Sequence, residues 1–238
     1  KVGDPDHIEL PYARVMLVGL ALVKPPKRVL VVGLGGGTIP SILHKHYPKT
    51  MIDVVDIDPD VVKVAKEFFG FREDDTMRVH VADGRRFIEQ CRDPYDTIFL
   101  DAYGDEDIPY HLATRQFLDA VRQALQPDGI VVANLWSRGL NPLYDSMLAT
   151  YQNVFDSVCL LDVRGTGNRI VIALPRKQRI ERGSLARKAR VISRGKRLRF
   201  DLGDLVNEGF QRELALDPDA PVLEDRIPTT AAASQPAR

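Results

Sequence analysis

Hydrophobic and polar positions along this chain form two alternating patterns. Short runs dominated by Val, Ile and Leu predict strands at 28–33, 51–57, 77–82, 95–101 and 129–135. Between these runs, apolar residues recur every three or four positions and predict helices at 38–46, 59–69, 84–91, 113–125 and 142–151. Strands that are apolar on both sides need helices above and below a parallel sheet. The pattern therefore predicts a doubly wound α/β fold.

The alternation changes after residue 151. Two strand-like runs, 154–161 and 168–174, are joined by only six residues. Such a short connection permits only a hairpin, because a parallel crossover needs a dozen residues or more. We therefore expect the sheet to end in an antiparallel hairpin, an arrangement that resembles the Rossmann-like sheet of class I adenosylmethionine-dependent methyltransferases.

The chain ends suggest how the sequence divides. Residues 11–22 have helical spacing that stops before Pro25-Pro26, and the last ten residues are rich in alanine and polar residues. The expected division is an N-terminal helical segment at 1–26, a Rossmann-like catalytic domain at 27–228 that includes a basic segment at 176–228, and a disordered tail at 229–238.

The first strand runs into a turn with three glycines, Gly33, Gly35 and Gly37. A dinucleotide fingerprint would require a third small residue at the position of Thr38, so that interpretation is weakened. The alternating glycines instead resemble the loop that binds adenosylmethionine. A plain tight turn between strand and helix remains the alternative.

Carboxylates follow the next two strands. Asp56 with Ile57 ends the second strand, and Asp83 with Gly84 follows the third. An acid at the first position can accept from both ribose hydroxyls, and one at the second can accept from an adenine amino group. Ligands of open parallel sheets bind outside the strand tips. We therefore predict that these four residues and the three glycines bind an adenosine-type co-substrate.

The fourth strand also ends in an acid, Asp101, and an acidic loop follows it up to residue 112. Such a loop can attract an ammonium group, and a desolvated carboxylate can take its proton. Asp101 is the candidate catalytic base. The candidate substrate-binding residues are Tyr12, Tyr103, Asp105 and Tyr110. A solvated acidic turn is an equally good explanation of residues 105–107.

Charge and cysteine content narrow the class of protein. The 238 residues have zero formal net charge, but residues 1–174 carry 19 Lys and Arg against 24 Asp and Glu. An acidic front part suits a small cationic amine rather than a nucleic acid. Two isolated cysteines and five scattered histidines predict neither disulfides nor a metal site. The two isolated thiols favour a reducing cytoplasm. No apolar run is long enough to span a bilayer, so we expect no membrane partner.

Residues 176–199 hold eleven Lys or Arg and a single acid, Glu181. Nucleic-acid binding would call for interleaved aromatic residues, and only Phe200 lies close by. We favour a solvated helix that packs Leu185, Ala189 and Ile192 onto the sheet.

These motifs together resemble the spermidine/spermine synthase (polyamine aminopropyltransferase) family, and in particular a divergent spermidine-synthase-like branch. The similar segments lie between residues 10 and 228 and include 29–37, 56–59, 81–85, 100–101, 108–114, 167–169 and 222–228. The resemblance implies an enzyme of polyamine biosynthesis. It would transfer an aminopropyl group from decarboxylated adenosylmethionine to a polyamine, with Asp56 on the ribose, Asp83 on the adenine and Asp101 as the base.

Two positions depart from the family pattern. Family members usually carry an Asp where this chain has Gly36, and Asp-Ser-Ser-Asp-Pro where it has residues 101–105. Without a carboxylate at position 36, intact adenosylmethionine is no longer repelled, so methyl transfer to a small molecule is the second interpretation. A non-catalytic nucleoside-binding module is the third. The family's N-terminal β-hairpin domain is not found in this sequence, so a homodimer would have to use another surface.

Overall fold

The computed structural model describes residue 4 and residues 6–102, 108–211 and 217–225. Its centre is a seven-stranded sheet in the order β3-β2-β1-β4-β5-β7-β6. The strands are β1 (Arg28–Val32), β2 (Met51–Asp56), β3 (Met77–Val81), β4 (Tyr95–Leu100), β5 (Leu125–Trp136), β6 (Ser157–Asp162) and β7 (Asn168–Leu174). Strands β1 to β5 are parallel, and β7 lies antiparallel between β5 and β6. The predicted α/β fold class and its antiparallel edge hairpin are confirmed.

Helices cover both faces of this sheet. They are α1 (Pro11–Met16), α2 (Thr38–His46), α3 (Pro59–Phe68), α4 (Gly84–Glu89), α5 (Arg115–Gln123), α6 (Tyr144–Val154), α7 (Arg182–Lys196) and α8 (Leu202–Gly209). Two 3-10 helices, Leu17–Leu22 and Tyr110–Leu112, adjoin α1 and precede α5.

Strand β1 shows why helices are needed on both faces. Val29 and Val31 belong to a core with α1, α2, α3, α7 and α8, whereas Leu30 and Val32 belong to a second core with α4, α5 and α6. All four side chains are essentially inaccessible to solvent. Because successive side chains of a strand point to opposite faces, a continuous apolar run can fill both cores at once.

The N-terminal helix and the junction between α6 and β6 differ from the prediction in detail. The helix predicted at 11–22 tightens into a 3-10 helix after Met16. A Cβ at Gly19 would lie 2.4 Å from a methyl of Val132, so this segment is pressed against β5. Helix α6 extends to Val154, and strand β6 consequently begins three residues later than predicted, at Ser157.

The basic segment contains the expected helix, but its neighbours differ from the prediction. Leu185 and Ala189 of α7 are buried and Ile192 is half-buried. Their helix packs chiefly against α8 and the first 3-10 helix rather than directly onto the sheet. Helix α8 was not predicted, because its apolar stripe is short. Its N-terminus is capped by Asp201, whose carboxylate accepts from the Gly203 amide at 2.7 Å.

Among the described helices, none combines the length and apolar composition that a membrane span requires. The tail predicted at 229–238 lies outside the described residues.

Candidate active site

The glycine turn brings the ends of two strands together. Gly33, directly after β1, has φ of 94°, a left-handed conformation that favours glycine. A Cβ there would stand 2.4 Å from the carbonyl oxygen of Asp101. The missing side chain at position 33 therefore lets the tip of β1 lie directly against the tip of β4.

The remaining glycines of the turn have different surroundings. Gly35 has φ of 50°, and nothing lies within 4 Å of where its Cβ would be. Gly37 has φ of 73° and begins α2, and its Cβ would lie 2.8 Å from the ring of Phe71. A Cβ at Gly36 would lie 3.1 Å from the ring of Phe69. Gly35 is thus open to a ligand, whereas the other two are backed by aromatic rings.

A cleft of about 560 Å³ lies above this turn, outside the carboxyl ends of β1 to β4. Most of the predicted site residues line it together: Tyr12, Gly33, Gly35, Asp56, Ile57, Asp83, Gly84 and Asp101. Gly37 does not, and Gly36 takes its place on the wall. The three carboxylates from three separate strand tips therefore share one cavity.

Asp56 is held by backbone amides. One carboxylate oxygen accepts from the Leu34 amide in the glycine turn at 2.7 Å, and the other accepts from the Asp58 amide at 3.0 Å. The neighbouring Ile57 is 67% exposed at the mouth of the cleft. This end of the cleft thus joins a rigidly held carboxylate to an apolar surface, which suits a ribose and a base.

Asp83 caps helix α4. One of its oxygens accepts from the Arg86 amide at 2.9 Å, and the other lies 2.9 Å from Nε2 of His111. Partial burial opposes ionisation, but the hydrogen bonds from Arg86 and His111 outweigh it and lower the pKa of this carboxyl. A Cβ at Gly84 would lie 2.6 Å from a methyl of Val32, so only glycine lets α4 begin this close to β1.

Asp101 lies at the deep end of the cleft. Its two oxygens accept hydrogen bonds from the Tyr12 hydroxyl at 3.1 Å and from the side-chain amide of Asn134 at 2.9 Å. Burial raises the pKa of Asp101 to about 6, although both hydrogen bonds act in the opposite direction. Burial, followed by the charge of Asp101, also raises the pKa of Tyr12. The site therefore contains a desolvated carboxylate that titrates close to neutral pH.

The other predicted substrate-binding residues are placed differently. Tyr110 is not on the wall of the cleft, and its hydroxyl donates to the Glu224 carbonyl oxygen at 3.0 Å. A substrate contact by Tyr110 stays a prediction. Tyr103 and Asp105 lie outside the described residues.

Residues 221–225, here called the C-terminal strap, contact Arg85, which directly follows Gly84 in the wall of the cleft. Asp225 accepts two hydrogen bonds from the Arg85 guanidinium, at 2.7 and 2.6 Å. Arg85 also donates to the His111 carbonyl oxygen at 3.3 Å. His111, whose ring contacts Asp83, is thereby tied to the far end of the sequence. Spacing alone gave no sign of this role for His111.

Within the described parts of the chain, no three His, Cys, Asp or Glu side chains gather as a metal ion would require. The cleft is instead built from backbone amides, carboxylates and one exposed apolar edge. The sheet order and the antiparallel edge hairpin are those of the class I methyltransferase fold.

Comparisons with known proteins agree with this class. The Spermine/spermidine synthase domain matches residues 11–159. Polyamine aminopropyltransferase of Vibrio vulnificus is 39% identical over 188 residues, which are 75% of this chain and 62% of that protein. The human eEF1A lysine and N-terminal methyltransferase is 33% identical over 211 residues, which are 80% of this chain and 30% of that protein.

A solved structure is also similar. Human methyltransferase-like protein 13 in complex with SAH has a TM-score of 0.72 and 34% identity, and the match covers 79% of this chain and 93% of that one. The chain belongs to the spermine/spermidine synthase family. Its relatives are aminopropyltransferases and methyltransferases, so this is a family of transferase enzymes. The chain spans 62% of the Vibrio relative and less than a third of the human one.

Proposed function

We propose that this protein transfers an alkyl group from an adenosylmethionine-type sulfonium to an amine. The first candidate is aminopropyl transfer from decarboxylated adenosylmethionine to a polyamine. One observation carries the proposal: Asp56, Asp83 and Asp101 line a single cleft beside an open glycine turn. The SAH bound to human methyltransferase-like protein 13 and the aminopropyltransferase relative support the co-substrate.

The adenosine end of the cleft offers the contacts that a nucleoside needs. Asp56 would accept from the ribose hydroxyls, and Asp83 would accept from the adenine amino group. Ile57 and Gly84 would adjoin the base. Gly33 and Gly35 line the same cleft, and the sulfonium arm would approach the backbone at Gly35, where nothing lies within 4 Å of the position of a Cβ. The proposed co-substrate contacts all fall on described residues.

The deep end of the cleft offers the chemistry. In the transfer, the amine nitrogen forms a bond to carbon while the carbon–sulfur bond breaks and its electron pair stays on sulfur. The nitrogen loses one proton, and Asp101 would take it before releasing it to water. A carboxylate with a pKa of about 6 is largely ionised at neutral pH, yet basic enough to accept that proton. Positioning supplies most of the remaining rate enhancement.

Methyl transfer from intact adenosylmethionine is the second candidate, and one observation favours it. Position 36 carries no carboxylate, and a Cβ there would already be 3.1 Å from the Phe69 ring. The site therefore lacks the charge that would repel the amino-acid carboxylate of adenosylmethionine. A methyltransferase relative at 33% identity is consistent with this alternative.

Calorimetry with methylthioadenosine, adenosylmethionine and its decarboxylated form tests the proposal. Methylthioadenosine should bind tightly, because the proposed contacts lie on the adenosine half. Incubation of each sulfonium with putrescine, followed by mass spectrometry, then separates an added aminopropyl group from an added methyl group. Negligible binding of all three ligands would contradict the proposed function.

A further inference from the structure

Two asparagines form a hydrogen-bonded chain from the antiparallel edge of the sheet to the deep end of the cleft. Asn168 begins β7, and its side-chain amide donates to the Asn134 side-chain oxygen at 3.0 Å. Asn134, on β5 and only 3% exposed, donates in turn to Asp101 at 2.9 Å. A buried polar side chain inside an apolar strand is costly unless its hydrogen bonds are satisfied. Asn134 satisfies its amide through Asp101 and Asn168.

The chain of contacts sets the direction of the Asn134 amide. An asparagine presents an oxygen acceptor at one side and an NH₂ donor at the other. Because Asn168 donates to the oxygen of Asn134, the NH₂ group must face Asp101. If the Asn134 amide were reversed, its oxygen would face the Asp101 carboxylate, and two acceptors would lie against each other. Asn168 thus supports the orientation in which the Asn134 amide donates to Asp101, although it bonds to Asn134 and not to Asp101.

Among the described residues, few other groups contact Asp101. From α1, the titratable Tyr12 donates to the second carboxylate oxygen at 3.1 Å. From β1, the Val32 carbonyl accepts from the Asp101 backbone amide at 2.8 Å. No cationic side chain of the described residues forms an ion pair with Asp101. Its ionised form therefore relies on two neutral donors.

We propose that Asn134, held by Asn168, is a positioning residue that keeps Asp101 ionised and aimed at the amine. The inference rests on the proposed function, since it assigns Asn134 a part in the same reaction. With one oxygen held by Asn134 and the other by Tyr12, the carboxylate cannot rotate, and each oxygen keeps a free lone pair for the amine proton. Neither asparagine touches the reacting atoms.

Direct titration of Asp101 tests the inference without any assay of activity. Carbon-13 NMR of the carboxyl group would be followed against pH in the parent protein, Asn134→Ala and Asn168→Ala. We expect the midpoint to rise by about one pH unit in Asn134→Ala, because a hydrogen bond to the charged form is lost. A smaller rise is expected in Asn168→Ala. An unchanged midpoint in both variants would overturn the inference.

The chain offers a matched control in Asn141, which is also buried but caps the segment before α6 by accepting from the Leu143 amide at 2.9 Å. Asn141→Ala loses the same amide, but Asn141 neither lines the cleft nor bonds to Asp101, so the Asp101 midpoint should not move. An equal rise in Asn141→Ala would mean that the midpoint reports general loosening, and that result would also overturn the inference.

Kinetics supply the second readout. In Asn168→Ala, kcat at pH 6 should fall by about two- to fourfold, because a pKa that rises by less than one unit from about 6 leaves less of Asp101 ionised at that pH. KM for the sulfonium donor should stay unchanged, and the loss should recover above neutral pH, where Asp101 ionises again. A loss that is equal at every pH would contradict a role through Asp101. A parent protein inactive with both sulfonium donors would defeat the proposed function, whereas the NMR titration would still decide the role of the asparagines.

Discussion

The two ends of the cleft use the same residue type at the same kind of position but surround it differently. At the adenosine end, Asp83 receives a backbone amide and an imidazole, and its pKa is lowered. At the deep end, Asp101 is desolvated with two neutral side-chain donors, and its pKa is raised to about 6. Two carboxylates whose environments push their pKa values apart are suited to two different tasks. One can hold a ligand while the other exchanges a proton.

The largest effect is expected from a substitution that removes the proton acceptor. Asp101→Asn keeps the shape of the side chain but cannot take a proton, so the transfer rate should fall by about 10² to 10⁴. Binding of methylthioadenosine should be almost unchanged, because the adenosine end is intact. A rate assay and calorimetry on the same preparation check both statements, and an unaffected rate would show that the base lies elsewhere.

The same variant has an expected effect on stability. The folded-state pKa of Asp101 lies above its usual value, so the folded protein holds that proton more strongly and loses stability as pH rises from about 4 to about 6. Asp101→Asn should relieve this cost by up to about 3 kcal/mol at neutral pH. Thermal unfolding of both proteins at pH 5 and pH 7.5 measures this difference in stability. A variant that is inactive yet more stable excludes misfolding as the cause of inactivity.

A smaller effect is expected at the adenosine end. Asp56→Ala should weaken every adenosyl ligand by about tenfold to a hundredfold, because it removes a charged acceptor and also frees the Leu34 amide. Asp60→Ala, which removes an exposed acid from the first turn of α3, is the matched control. Equal affinities in parent and Asp56→Ala would refute the ribose contact.

Substitutions at position 36 test whether this residue determines the preference between decarboxylated and intact adenosylmethionine. Gly36→Asp alone should change the ratio of the affinities for decarboxylated and intact adenosylmethionine only slightly, because the Phe69 ring crowds the new Cβ. Combined with Phe69→Ala, it should favour the decarboxylated form by about tenfold. Phe69→Ala alone is the control. Identical ratios in all four proteins would remove position 36 from the account of specificity.

The smallest effect concerns the C-terminal strap. The hydrogen bonds from Arg85 hold the pKa of Asp225 down to about 2. A carboxyl with a lowered folded pKa stabilises the fold above its usual pKa and loses this contribution as pH falls towards 2. Because the pair is partly exposed, Asp225→Asn should cost less than about 1 kcal/mol, with a few-fold loss of nucleoside affinity through His111. Chemical unfolding at pH 7 and calorimetry measure the two quantities.

The sequence predicted the parts of this site that depend on local pattern. A continuous apolar run shows at which residue a strand ends, and parallel strands have their carboxyl ends on one edge of the sheet. Asp56, Asp83 and Asp101 could therefore be identified from their positions in the sequence. The lone polar residue in the run Val131 to Leu135 was an available signal for Asn134, because a buried amide needs a partner. Its partner, however, depends on the register between β5 and β7.

Other features depend on contacts between distant parts of the chain. Tyr110 is close in sequence to the candidate substrate residues, yet its hydroxyl donates to the carbonyl oxygen of Glu224, more than a hundred residues away. The interaction of His111 with Asp83 likewise follows from the Arg85 contact rather than from spacing. Helix α8 was missed because Leu202 and Val206 alone give too weak a periodic signal. The local sequence pattern predicts where a strand ends but not which side chains form hydrogen bonds to residues far away in the sequence.

The C-terminal strap also bears on the order in which the protein is made. All seven strands and the three cleft carboxylates precede residues 221–225 in the sequence. A nascent chain on the ribosome therefore acquires its sheet before Asp225 is available to hold Arg85 and, through it, the backbone of His111. Full affinity for a nucleoside should consequently arise late in synthesis, after most of the domain has already folded.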